Sequence, residues 1–244
     1  MAFYRSLAAG LLLLAAGLPA QADDAATVQI NSIRSPELKP YRVMLAGLDA
    51  FDEYHALAPN THELRFKLRL RSGAPTDATM DHLALRIAGN ETSVPVALDA
   101  DGRFTLPRIA ALADDNADLL LNQKKGNYRW DADVRSDGLP ANMRRLGDFR
   151  LECEVTVAIV KEEIPLWVRS LVASWLLTTH WCASDKLNWQ AHSPRRVRQA
   201  TLVSGTQRIS LATGDKGITY TVPTSDPHYP DDTLIELEYA DAPE

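Results

Sequence analysis

Leu64-Arg65-Phe66-Lys67-Leu68-Arg69-Leu70-Arg71 is the stretch that decides the fold class. Apolar and cationic residues alternate through it without a break. A period of two places the two sets on opposite faces of an extended chain, which is the pattern of a half-buried antiparallel strand. Slipping the register by one residue would bury the cations, so the pairing is strongly specified. The Arg/Lys face is expected to be the solvated outside of a sheet, because exposed strand faces are commonly charged.

Strand signals continue on both sides. Ser72-Gly73-Ala74-Pro75 is a turn, and Leu83–Ile87 is the next strand. Val94–Leu98 carries Pro95, which argues for an edge position. Asp99-Ala100-Asp101-Gly102 is a hairpin turn whose Gly supplies a positive φ. Leu151, Cys153, Val155, Val157 and Ile159 alternate with Glu152, Glu154, Thr156 and Ala158, and read as a second amphipathic strand. Short strands follow at Thr201–Val203, Gln207–Leu211, Ile218–Val222 and Leu234–Tyr239. Upstream, Phe51, Tyr54 and Leu57 stand three apart, so a short helix within 41–58 is expected to lie on a sheet.

The chain carries an internal echo. Gly89 precedes Pro107 by eighteen residues, and Gly205 precedes Pro223 by eighteen. Phe104-Thr105-Leu106-Pro107 matches Tyr220-Thr221-Val222-Pro223, each after a Gly-bearing turn. The expected fold is therefore mainly β, with two tandem antiparallel β-sandwich-like units at 23–140 and 141–244. Ala97–Pro107 resembles the turn-and-strand segment of transthyretin-like or carboxypeptidase-regulatory-like β-sandwiches. That resemblance implies a sandwich fold and carries no functional residue across.

A helical insertion at 164–178 breaks the second unit. Pro165 suits the first helical position. Trp167, Leu171 and Trp175 are spaced by four, as are Val168, Val172 and Leu176. So wide an apolar face predicts a helix that caps or plugs the core. The competing reading is an outward patch that carries two Trp and meets a partner or a membrane.

Residues 1–22 have the layout of an export signal: Arg5, the apolar run Leu11–Ala16, then Ala20-Gln21-Ala22 as a cleavage site. The run is too short for a stable span. A mature chain from Asp23 would carry 25 cations against 32 anions, a net charge of −7 (26 minus Arg5, against 32). With no basic stripe, nucleic acid is a poor partner. The expected location is the periplasm or the extracellular space. There, Cys153 and Cys182 are expected to pair, closing a loop worth roughly 3 kcal/mol. The rival reading, a Cys182 nucleophile beside His180, needs a free thiolate.

No catalytic signature is present: no Gly-x-Ser-x-Gly elbow, no His-Glu-x-x-His and no Walker loop. The His residues lack metal-ligand spacing, and Asp99–Gly102 lacks the downstream ligands of a calcium loop. No catalytic residue, metal ligand or cofactor is assigned. Trp167, Trp175, Trp181 and Trp189 cluster within 23 residues and form the candidate partner surface. The leading expectation is an exported, non-enzymatic binding or accessory protein of the bacterial cell envelope that contacts a protein or glycan. The alternatives are a periplasmic hydrolase with dispersed carboxylates and an assembly factor that pairs through a strand edge.

Overall fold

The computed structural model describes residues 34–240. The expected export signal at 1–22 and the expected mature start at Asp23 lie outside the described residues. The first half of the chain forms β1 (Pro36–Pro40), α1 (Tyr41–Glu53), β2 (Arg65–Leu70), β3 (Leu85–Ala88), β4 (Ser93–Val96), β5 (Arg103–Phe104), α2 (Ala110–Asp114), β6 (Asp118–Lys124) and β7 (Tyr128–Asp133). The second forms β8 (Met143–Arg145), α3 (Leu146–Glu163), α4 (Leu166–Leu176), β9 (Trp189–His192), β10 (Val197–Ser204), β11 (Gln207–Leu211), β12 (Thr213–Gly214), β13 (Thr219–Val222) and β14 (Leu234–Tyr239).

The fold is mainly β, and its four sheets are antiparallel throughout. One connectivity occurs twice. The sheet β1-β6-β3-β4 has the same order as β8-β14-β10-β11, and the pair β2-β5 corresponds to β9-β13. In both halves the first strand runs straight into a helix: Pro40 leads to Tyr41, and Arg145 leads to Leu146. The Gly89–Pro107 and Gly205–Pro223 echo falls on matching parts of this plan. In each, a hairpin in one sheet is followed by a Gly turn and a strand in the other sheet. Pro95 lies in β4, an edge strand, where its missing N–H costs no ladder bond.

The halves differ in several places, among them α2 and β12, which have no counterpart in the other half. β7 flanks β2 in the first half, whereas the matching side of β9 carries no strand among the described residues. The insertion holding α4 has no counterpart in the first half, where the helix is followed only by a short turn at His55–Leu57.

Residues 151–159 are helical, not a strand. They fall inside α3. Leu151, Val155 and Ile159, four apart, enter the first core with Phe66, Leu68, Ile87 and Leu119. Leu146 and Phe149 enter the second core with Tyr220 and Ile235. Cys153 and Val157 enter a third around the disulfide. A helix buried on several faces has apolar residues at many spacings, and over a short window that mimics alternation. Asp148 holds the start of α3, accepting from the Ser136 hydroxyl at 2.6 Å and from the Arg145 N–H at 3.2 Å.

α1 packs directly on α3, its counterpart in the repeat. Gly47 permits this close approach, and Gly147 lets the His55–Leu57 turn that follows α1 lie against the start of α3. A Cβ on Gly147 would lie 2.0 Å from the Leu57 carbonyl oxygen, and one on Gly47 would lie 2.8 Å from Ile159 Cδ1.

Candidate docking surface

α3 turns into α4 through Ile164 and Pro165. Pro165 is the N-cap of α4, one position earlier than the sequence suggests, and Arg169 Nε donates to the Ile164 carbonyl at 3.2 Å. The inner side of α4 presents Val172 and the buried Leu176 to the third core. Cys153 on α3 and Cys182 beyond α4 form the expected disulfide, with Cα atoms 5.9 Å apart. Cys182 is therefore no free thiolate. The bridge fastens the far end of the insertion to the helix that carries all three cores.

Side chains complete the seat. The Ser184 hydroxyl donates to the Leu176 carbonyl at 3.1 Å, and Lys186 Nζ donates to the Trp175 carbonyl at 2.8 Å. These bonds cap carbonyls that the end of a helix leaves without intrahelical donors. Leu177 closes α4 in the left-handed region at φ +60°, an uncommon conformation for a bulky residue.

The outer side of α4 corrects the expectation of a buried plug. Leu166, Trp167, Leu171, Trp175 and Leu177 are 74, 70, 63, 61 and 80% exposed. The sequence offers two apolar stripes of equal spacing. The structure buries one edge of that broad arc and turns the Trp167–Leu171–Trp175 stripe to the outside. Nothing in the periodicity distinguishes them, because the choice depends on where α3 lies.

The four Trp do not form one surface. Trp167 and Trp175 share the outer face. Trp181 is buried beside the disulfide, with Lys161 Nζ 5.2 Å from its ring centroid. Trp189 is half-buried on β9 between the second and third cores. Sequence reasoning missed Leu166, Leu171 and Leu177 as surface residues, since Leu in a helix ordinarily points inward.

The cationic face of β2 is also not a free outer surface. Arg69 meets Asp131 at 2.8 Å, and Arg103 Nε meets Asp133 at 2.7 Å. Burial, and then Arg103, lowers the Lys67 ammonium. His192 on β9 comes within electrostatic reach of the same face. Burial, followed by Arg69, lowers the imidazole to about 4, against the opposing pull of Asp131. The face is half-buried and ion-paired, and its charges reach His192 in the second half of the chain.

A buried charge cluster joins β7, β8 and α3. Arg144 Nη2 donates to Glu152 Oε1 at 2.5 Å and to the Val134 carbonyl at 2.7 Å. The Val134 N–H donates to the same Glu152 oxygen at 3.1 Å. Burial pushes the Glu152 carboxyl up to about 7 against the pull of Arg144. Burial would also raise Asp133, but Arg135 and Arg144 outweigh it and hold that carboxyl down to about 2. These groups pair with one another inside the joint, although the buried Arg144 Nε has no hydrogen-bond partner among the described residues. Two open depressions, about 480 and 680 Å³, are lined by other residues, around Asn90 and Asp115 and around Arg34, Asp77 and Lys124.

Among the described residues no helix is long and apolar enough to cross a membrane, and no group of three His, Cys, Asp or Glu converges as a metal site. Comparison of the chain with protein-family models, curated proteins and solved structures finds no match.

Proposed function

We propose that this is an exported, non-enzymatic binding or accessory protein of the cell envelope, and that the outer face of α4 is its protein-docking surface. One observation carries the reading: α4 and its closing residue Leu177 hold five large apolar side chains in water although their seat is stapled by a disulfide. Exposed apolar patches of more than a few hundred Å² mark interaction sites. The face suits a protein better than a glycan. Its only interspersed polar groups, the Ser170 and Ser174 hydroxyls, donate to carbonyls of their own helix at 3.1 and 2.9 Å. A sugar site needs polar groups free to receive hydroxyls.

The test is a photo-crosslinking residue at position 171 in cells, with a second at Ser210 on β11 as control. A protein adduct from position 171 that disappears when Trp167 and Trp175 are replaced by Ser supports the reading. Absence of any protein adduct at 171, or an adduct indifferent to both Trp, overturns it.

A further inference from the structure

The outer face of α4 is complementary to itself. Trp167, Leu171 and Trp175 stand at even spacing, two large side chains about a smaller one. If two such helices cross antiparallel with a two-fold axis at Leu171, Trp167 of one copy lies opposite Trp175 of the other, and Leu171 meets Leu171. Rows spaced by four interdigitate at a crossing near −50°. A two-fold contact of this kind closes on itself and does not propagate into a filament.

The surroundings of the stripe suit the same occupant. Ser170 and Ser174 leave room beside Leu171, and their hydroxyls are already bonded within the helix, so excluding water strands no polar group. The neighbouring charges are compensated inside the chain. Arg169 lies 3.5 Å from Glu162, Lys39 lies 2.8 Å from Glu163, Lys161 sits over Trp181, and Lys186 caps the Trp175 carbonyl. The rim is therefore electrically balanced and matches an equally balanced surface. It lacks the basic fringe of helices that lie on anionic lipid.

Area points the same way. The side chains from Leu166 to Leu177 that are 61 to 80% exposed offer on the order of 500 Å² per copy. Two copies would bury about 1,000 Å², the size at which a stable, specific interface begins. We propose that the protein docked on α4 is a second copy of this chain, with α4 packed antiparallel on α4 across a two-fold axis at Leu171. This rests on the reading of α4 as a protein-docking surface and names its occupant.

Sedimentation equilibrium of the mature, disulfide-bonded chain tests the inference. The wild type is expected to show a concentration-dependent dimer. Leu171→Lys sets two cations together at the axis and should raise the dissociation constant at least about thirtyfold. Leu171 is exposed in the single chain, so the variant should keep the monomer's fold, checked by its circular dichroism. A dimer that survives Leu171→Lys overturns the inference. A wild type that stays monomeric, while position 171 still yields an adduct to a different protein, overturns the inference alone and leaves the docking reading standing. A monomer without any protein adduct whose Trp fluorescence shifts to the blue on phosphatidylcholine vesicles overturns both and assigns the face to lipid.

Discussion

Arg144 and Glu152 meet inside the protein, with Nη2 2.5 Å from Oε1 and both side chains more than nine-tenths buried. The same guanidinium holds the Val134 carbonyl and stacks 3.7 Å above the centre of the Phe149 ring. One side chain thus ties the end of β7 to α3, across the junction between the repeated connectivities.

Removing one partner strands the other. Arg144→Leu leaves the Glu152 carboxyl without its cation, with only the Val134 N–H still donating to it, and the Val134 carbonyl without the Arg144 donor, and should cost about 3–5 kcal/mol. The double variant Arg144→Leu/Glu152→Leu should recover part of that loss, because no buried charge then remains. Urea denaturation of the single and double variants measures both. Equal losses would show that the pair is not the source of the effect.

His192 makes stability fall in mild acid. Its folded-state pKa is lowered to about 4, so between about 4 and the ordinary value of 6.5 the unfolded chain takes up a proton that the folded chain refuses. The stabilisation is complete above 6.5 and is lost as pH falls toward 4. Arg69 and Lys67 disfavour the imidazolium, while Asp131 and Asp215 favour it. His192→Gln should flatten this limb, read as a smaller drop in urea midpoint between pH 7 and pH 4.5.

Gly147 and Gly47 should respond differently to alanine. The new Cβ at 147 would meet the backbone carbonyl of Leu57, which cannot move without the turn that carries it. The new Cβ at 47 would meet the end of the Ile159 side chain, which can rotate. Gly147→Ala should cost about 3 kcal/mol or more and Gly47→Ala about 1 kcal/mol. Thermal melts of the two variants give the order.

The Trp residues should divide by depth. Trp167→Ser and Trp175→Ser should each change stability by less than about 0.5 kcal/mol, as surface replacements do. Trp181→Ser empties a site packed against the disulfide and should cost about 3–5 kcal/mol. Denaturant midpoints with the disulfide intact decide it. A large loss at Trp167 would mean that α4 is seated more deeply than its exposure shows.

Much of the scaffold is legible in the residues alone. Phe66 and Leu68 are fully buried, on the face that alternation predicts. Pro95 marks an edge strand, Gly102 takes φ +75°, and the cysteines pair. The exposed apolar face of α4 is legible only in part. Two of the four Trp assigned to it share the outer face of α4, and the Leu residues that complete the stripe look like core when read along the chain.

The sequence by itself determined the alternating strand at Leu64–Arg71 and several of the short strands around it, the echo that underlies the repeated connectivity, and the pairing of Cys153 with Cys182. Each of these follows from local chemistry: side-chain alternation, turn residues, and the only two cysteines present. Tertiary structure decided that residues 151–159 are helical and that Trp167 and Trp175 face outward. Both choices depend on partners distant in sequence. α3 is a helix because three separate cores draw on its different faces. α4 shows its Trp stripe to water because the space beside α3 accommodates only one side of a helix that is apolar around half its circumference.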